Sequence, residues 1–185
     1  MPTVTEKQIT PEEMLAINDD KRYELIDGQL VEKDMGFFAN RIAFVLGWFL
    51  ETYLRQSKLG IVNCEGTYQC PQWMQTKVRS PDVSVVLAGR FPNKQIPTGH
   101  STIAPDIAVE VISPNDLVYD VNQKVADYFA AGVKEVWLID PNLRTISVRS
   151  PGNPRELSEH DILKSERLLP GFELKISDLF EATGV

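Results

Sequence analysis

Two short runs in the middle of the chain constrain its fold more tightly than any other feature. Asp-Val-Ser-Val-Val-Leu at 82–87 and Ile-Ala-Val-Glu-Val-Ile at 107–112 are rich in β-branched residues and almost continuously apolar. A strand with one wet face alternates, so runs like these belong to central strands of a sheet covered on both faces. Each run also carries an acid where a solvated one is not expected. Asp82 follows Pro81 at the edge of the first, and Glu110 interrupts the second. A buried carboxylate is strongly disfavoured unless a cation, a proton or a metal lies beside it. The alternatives are that Asp82 merely opens a strand or caps a turn, and that Glu110 faces water from an edge.

The segment after Glu110 supplies a candidate partner. Leu117 to Ala131 reads as a helix closed by Gly132, followed by strands at Glu135–Ile139 and Thr145–Arg149, an order that suggests a crossover. On that helix Leu117, Val121, Tyr128 and Ala131 share the stripe of Lys124, which directs the lysine at the sheet unless it snorkels past Tyr128 to solvent. If the two acidic strands are neighbours, Asp82, Glu110 and Lys124 meet, and one hard divalent cation could satisfy both carboxylates.

The remaining elements are conventional. Thr10-Pro-Glu-Glu begins a short helix ending near Asn18, and Tyr23–Glu32 reads as a hairpin turning at Asp27-Gly28. Phe38, Ile42, Val45, Phe49 and Tyr53 mark a long amphipathic helix through about Arg55, and Ile61–Cys70 reads as one strand. A loop spans Gly89–Pro105. In the tail, strands at Ile162–Lys164 and Phe172–Leu174 flank a Pro170-Gly171 turn, with Leu179-Phe180 as an apolar anchor. The expectation is one α/β domain over residues 1–185, a mixed central sheet flanked by helices.

Composition excludes several chemistries. With 185 residues, 43% of them apolar, the chain can bury a core without disulfides. Cys64 and Cys70 are the only cysteines, and as parts of one strand they would stand ~20 Å apart, too far to bridge. His100 and His160 are the only histidines, so metal chemistry here has to be carboxylate chemistry. No GxGxxG, GxxxxGK or GxSxG motif occurs, and no organic cofactor is expected. The longest apolar run, Ile42–Leu50, is nine residues, short of the ~20 a membrane crossing needs. The first residues lack a signal pattern, so a cytoplasmic protein without membrane association is expected.

The net charge of −7 argues against an indiscriminate polyanion binder, but it divides unevenly: −5 over residues 1–35, +4 over 36–104 and −6 over 105–185. The basic middle is either surface scatter or a face for phosphates, with Lys77, Arg79, Arg90 and Lys94 as its candidate contacts.

Pro81-Asp82, Glu110 and Lys124 resemble the PD-(D/E)XK nuclease superfamily. More narrowly, six segments in series resemble the Uma-type putative restriction endonuclease family, which is expanded in cyanobacteria. They are Tyr23-Glu-Leu-Ile-Asp-Gly, Arg79-Ser-Pro-Asp-Val, Val109-Glu-Val-Ile-Ser-Pro, Tyr119-Asp with Lys124 and Tyr128, Gly132-Val-Lys-Glu-Val-Trp-Leu-Ile-Asp-Pro and Leu169-Pro-Gly-Phe. Two departures stand out. Ile112 occupies the usual lysine position, which implies a lysine relocated to Lys124, and Asn40 stands where many relatives carry a histidine.

The resemblance implies a restriction-endonuclease-like core and a Mg2+-dependent endonuclease acting on DNA, with Mn2+ able to substitute. Asp82, Glu110 and the Val111 carbonyl would hold the metal, and Lys124 would assist water attack. Glu24 is either an exposed hairpin acid or a metal-associated one, and Arg79 a surface cation or a phosphate contact. A homodimer is expected, since cutting a duplex needs two opposed sites. The rival from another class is a non-catalytic module that keeps the fold to bind DNA or a protein.

Overall fold

The computed structural model describes residues 8–33, 36–73 and 76–184. A five-residue helix, α1 (Pro11–Leu15), opens on the Thr10 capping box and leads to a hairpin of β1 (Tyr23–Ile26) and β2 (Gln29–Glu32). Asp27 and Gly28 turn that hairpin at φ 50° and 81°, the left-handed pair that a tight two-residue turn demands. The helix α2 (Phe37–Ser57) follows, and then the strands of the main sheet: β3 (Gly60–Cys64), β4 (Val83–Leu87) and β5 (Ile107–Val111). The helix α3 (Val118–Ala131) crosses to β6 (Glu135–Asp140), which β7 (Thr145–Arg149) and β8 (Arg155–Leu157) extend. A second hairpin, β9 (Ile162–Ser165) with β10 (Leu169–Lys175), and a short α4 (Ile176–Glu181) close the chain.

The main sheet is mixed. Its six strands run β3-β4-β5-β6-β7-β8; β5 and β6 are parallel and every other pair antiparallel. The parallel pair needs a crossover, and α3 provides it, ending where Gly132 takes φ 96°.

Alternation along the strands sorts two cores. Val83, Val85, Ile107, Val109 and Val111 join the core beneath α2, where Ile42, Leu46, Leu50 and Leu54 form one buried stripe. Val86 and Ala108 face the other way, into a smaller core with Tyr68 and Tyr128. By the same two-residue period Asp82 and Glu110 lie on the α3 side. The antiparallel register pairs Val83 with Val109, so one residue further Asp82 stands across from Glu110.

The structure departs from these expectations in detail. The strand expected over Ile61–Cys70 stops at Cys64, because Glu65 takes φ 56° and turns the chain, and only Tyr68 beyond it forms isolated bridges, to Arg79 and Ser101. Pro170-Gly171 lies inside β10 across a register shift rather than between two strands. The β8 strand, three residues long, has no counterpart in the sequence reading because so short a segment carries no period.

Candidate active site

Asp82 enters from the start of β4 with 3% of its surface exposed. Its Oδ2 accepts a 2.6 Å hydrogen bond from the Val111 amide, which ties the carboxylate to β5. Its Oδ1 lies 2.7 Å from Nζ of Lys33, the residue directly after β2. That ammonium also donates to the Ser80 carbonyl at 2.6 Å and pairs with Glu65 Oε2 at 3.0 Å. Burial works against a charged Lys33, yet Asp82, Glu110 and Glu65 together raise it above an ordinary lysine.

Glu110 projects from β5 toward α3. Its Oε1 accepts from the Tyr128 hydroxyl at 2.5 Å, and its Oε2 lies 3.1 Å from Nζ of Lys124. Lys124 and Tyr128 are one helical turn apart, so α3 delivers a cation and a hydroxyl to the two oxygens of one carboxylate. Burial pushes the Glu110 carboxyl up; Lys124 opposes this and Asp82 reinforces it. For Lys124, burial is outweighed by Glu110 and Glu24, and its amine is raised. Tyr128 is raised well above the ordinary phenol by burial and by Glu110, so it stays a donor.

Glu24 is buried rather than exposed on its hairpin. Its Oε1 accepts from the Ser80 amide at 2.9 Å, and its Oε2 from Arg79 at 2.8 Å, with Lys124 3.7 Å away. Burial would raise this carboxyl, but Lys124 and Arg79 hold it below the usual value. Arg79 itself is 2% exposed, and it also donates to Asp127 Oδ2 at 2.9 and 2.5 Å. All three guanidinium nitrogens bond buried carboxylates, so Arg79 is held inside the protein as their counter-ion rather than standing at the surface.

The other three basic candidates do not converge on the acids. Lys77 borders the same cleft, but its amine pairs with Asp127 Oδ1 at 2.6 Å. Arg90 pairs with Asp106 at 2.5 Å, beyond the far end of β4 from Asp82. Lys94 is exposed in a 3-10 turn of the following loop. The four basic candidates therefore divide between the two ends of β4 and form no single face.

Glu24, Asp82, Glu110, Lys124 and the Val111 backbone line one cleft of about 630 Å³. Seven carboxylate and four cationic side chains border it, so the cleft repels a phosphate backbone unless further positive charge enters. Among the described residues no three His, Cys, Asp or Glu side chains are grouped to hold a metal. The donors that remain, two buried carboxylates from neighbouring strands beside a backbone carbonyl, suit a hard cation that keeps part of its water shell. By the chemistry of its donors the cleft suits a hard divalent cation.

The model of the Uma2 family, described as "Putative restriction endonuclease", matches residues 11–177. The chain belongs to that family. A solved structure of the same fold is that of a putative nuclease belonging to DUF820 from Anabaena variabilis, with a TM-score of 0.79 and 22% identity, covering 95% of this chain and 99% of that one. No curated protein matches the chain.

Three groups around this Uma2 cleft lie outside the sequence reading: Lys33, Glu65 and Asp127. Lys33 follows a strand of ordinary alternation, and Glu65 sits in a segment read as continuous strand, so neither breaks a pattern. Asp127 had a signal, since it lies three residues past Lys124 and immediately before Tyr128, on a helix already turned toward the sheet.

Proposed function

We propose that this Uma2 member is a Mg2+-dependent endonuclease that hydrolyses DNA phosphodiesters in the cleft between β4, β5 and α3, within a single nuclease-like domain. The observation that carries the reading is the convergence of Asp82 and Glu110, both buried, with the Lys124 amine 3.1 Å from Glu110.

Asp82, Glu110 and the Val111 carbonyl would hold the cation. When bound, it polarises a phosphoryl oxygen and lowers the pKa of water, and its charge offsets the acidic lining. Val111 fixes one oxygen of Asp82 through its amide, and Tyr128 fixes one oxygen of Glu110, so the carboxylates are oriented before substrate arrives. Lys124 orients the attacking water or offsets the negative charge that develops on the phosphoryl oxygens. Water attacks phosphorus in line, the bond to the leaving oxygen breaks, and that oxygen takes a proton. A second copy would supply the opposed site for the other strand of a duplex. Phe44 and Trp48, exposed on the outer face of α2, are the residues offered for that contact, and sedimentation velocity tests it.

One observation favours the non-catalytic rival: each of the two carboxylates already has a lysine as counter-ion. Calorimetric Mg2+ titration, run beside cleavage assays on plasmid, linear and branched DNA with Mg2+ and Mn2+, separates the two. The enzyme reading expects metal binding and cleavage, both lost in Asp82→Ala and Glu110→Ala. DNA binding without metal affinity or cleavage supports the binding module.

A further inference from the structure

Lys33 has no task in this hydrolysis, yet its side chain is only 10% exposed and lies against Asp82. Both oxygens of Asp82 are engaged, by partners of unequal mobility. The Val111 amide belongs to β5 and is fixed by the sheet. The Lys33 ammonium rides on a flexible four-carbon stem and has two further acceptors at hand, Glu65 Oε2 and the Ser80 carbonyl. A divalent cation taking Asp82 would share that carboxylate with an ammonium, and like charges so close repel strongly at protein dielectric. Lys33 is the partner able to yield.

Space to yield exists. Lys33 borders the main cleft and also an adjoining hollow of about 230 Å³ that Arg22, Asn40 and Glu65 line. Glu65 Oε1, buried and without a hydrogen bond, lies 3.6 Å from Arg22 on that side.

We propose that Lys33 is the resident counter-ion of Asp82, displaced toward Glu65 and the Ser80 carbonyl when a divalent cation binds, so that the Lys33–Glu65 pair sets the metal affinity of the site. The proposal rests on reading the cleft as a metal site. In it Glu65 retains the lysine and is not a ligand.

The test is calorimetric titration of Mg2+ and of Mn2+ into the wild type, Lys33→Met, Lys33→Gln, Glu65→Gln and the Lys33→Gln/Glu65→Gln double variant. Neutralising Lys33 should tighten metal binding by about tenfold or more, the scale on which groups behind metal ligands act. Glu65→Gln should weaken it severalfold by leaving the ammonium fewer places to go, and should have no effect once Lys33 is neutral. Equal affinity in the wild type and the neutral variants overturns the counter-ion role. Weakening by Glu65→Gln in both backgrounds makes Glu65 a ligand and overturns its role as the lysine's acceptor. Lys33→Gln keeps a donor for Ser80 and guards against a variant that fails to fold. Should both neutral variants unfold, unchanged or tighter binding in Glu65→Gln still overturns the proposal. A wild type that binds neither metal removes the metal-site reading and this proposal together; a wild type that binds while its folded variants match it removes only this proposal.

Discussion

On one face of β4 and β5, valines and isoleucines meet the Ile42–Leu54 stripe of α2, and the contact is wholly apolar. On the other, the same strands present Val86 and Ala108 to a small core at one end and Asp82 and Glu110 to a cleft at the other. A shift of one residue along the strand separates the two environments. The comparison shows how a small domain affords a cluster of buried charges: the dry face holds the strands in register, and the wet face then has acids placed by the backbone rather than by their own attractions. Stability on the dry face should scale with the volume lost, and on the wet face with the charge left uncompensated.

Arg79→Met tests the wet face hardest. It keeps bulk and removes charge, taking from Glu24 and Asp127 the guanidinium they share, and is expected to cost about 3–5 kcal/mol in denaturant unfolding. A cost below ~1 kcal/mol, within the range of an exposed pair, would erase the distinction between the faces. Leu50→Ala is the matching change beneath α2, where the side chain is fully buried. It should cost about 2–5 kcal/mol while leaving the metal affinity of the folded protein unchanged. Tyr128→Phe removes one buried donor to Glu110 and should cost about 1.5–3 kcal/mol, as for a hydrogen bond to a charged group.

The sheet, the crossover and the meeting of Asp82, Glu110 and Lys124 were legible because each rests on period. Continuous apolar runs mark covered strands, and a helical stripe fixes the direction of Lys124. The Arg79 environment was not legible, since Glu24 and Asp127 lie 55 and 48 residues from it and nothing local ties them. Lys33 and Glu65 were missed for a similar reason. Glu65 stands beside Asp82 because β3 pairs with β4, its amide donating to the Asp82 carbonyl at 3.2 Å, whereas Lys33 arrives only when the first hairpin packs there, held in part by an isolated bridge between Leu25 and Val78. The physical signal in sequence was the acid in an apolar run, and it identifies the group that needs a partner, not the partner.

The smallest expected effect concerns the core on the α3 side. Burial pushes the Cys70 thiol up to about 12, against 9.0 for a free one. The folded chain therefore keeps a proton that the unfolded chain releases, so this group's contribution falls as pH rises through the window between those values. Cys70→Ala should flatten that part of the alkaline stability profile. Iodoacetamide near pH 8 should alkylate the exposed Cys64 and spare Cys70 until the chain unfolds.

The roles assigned to the wet face divide most directly at Lys124. Lys124→Met keeps the apolar stem and removes the amine from Glu110, with circular dichroism confirming the fold. Mg2+ should bind as well as to the wild type or better, because a competing cation is gone, while DNA cleavage drops by about 10²–10³-fold, the loss typical of one charge-stabilising group. A folded Lys124→Met that binds metal and cleaves at the wild-type rate would contradict the role given to this lysine.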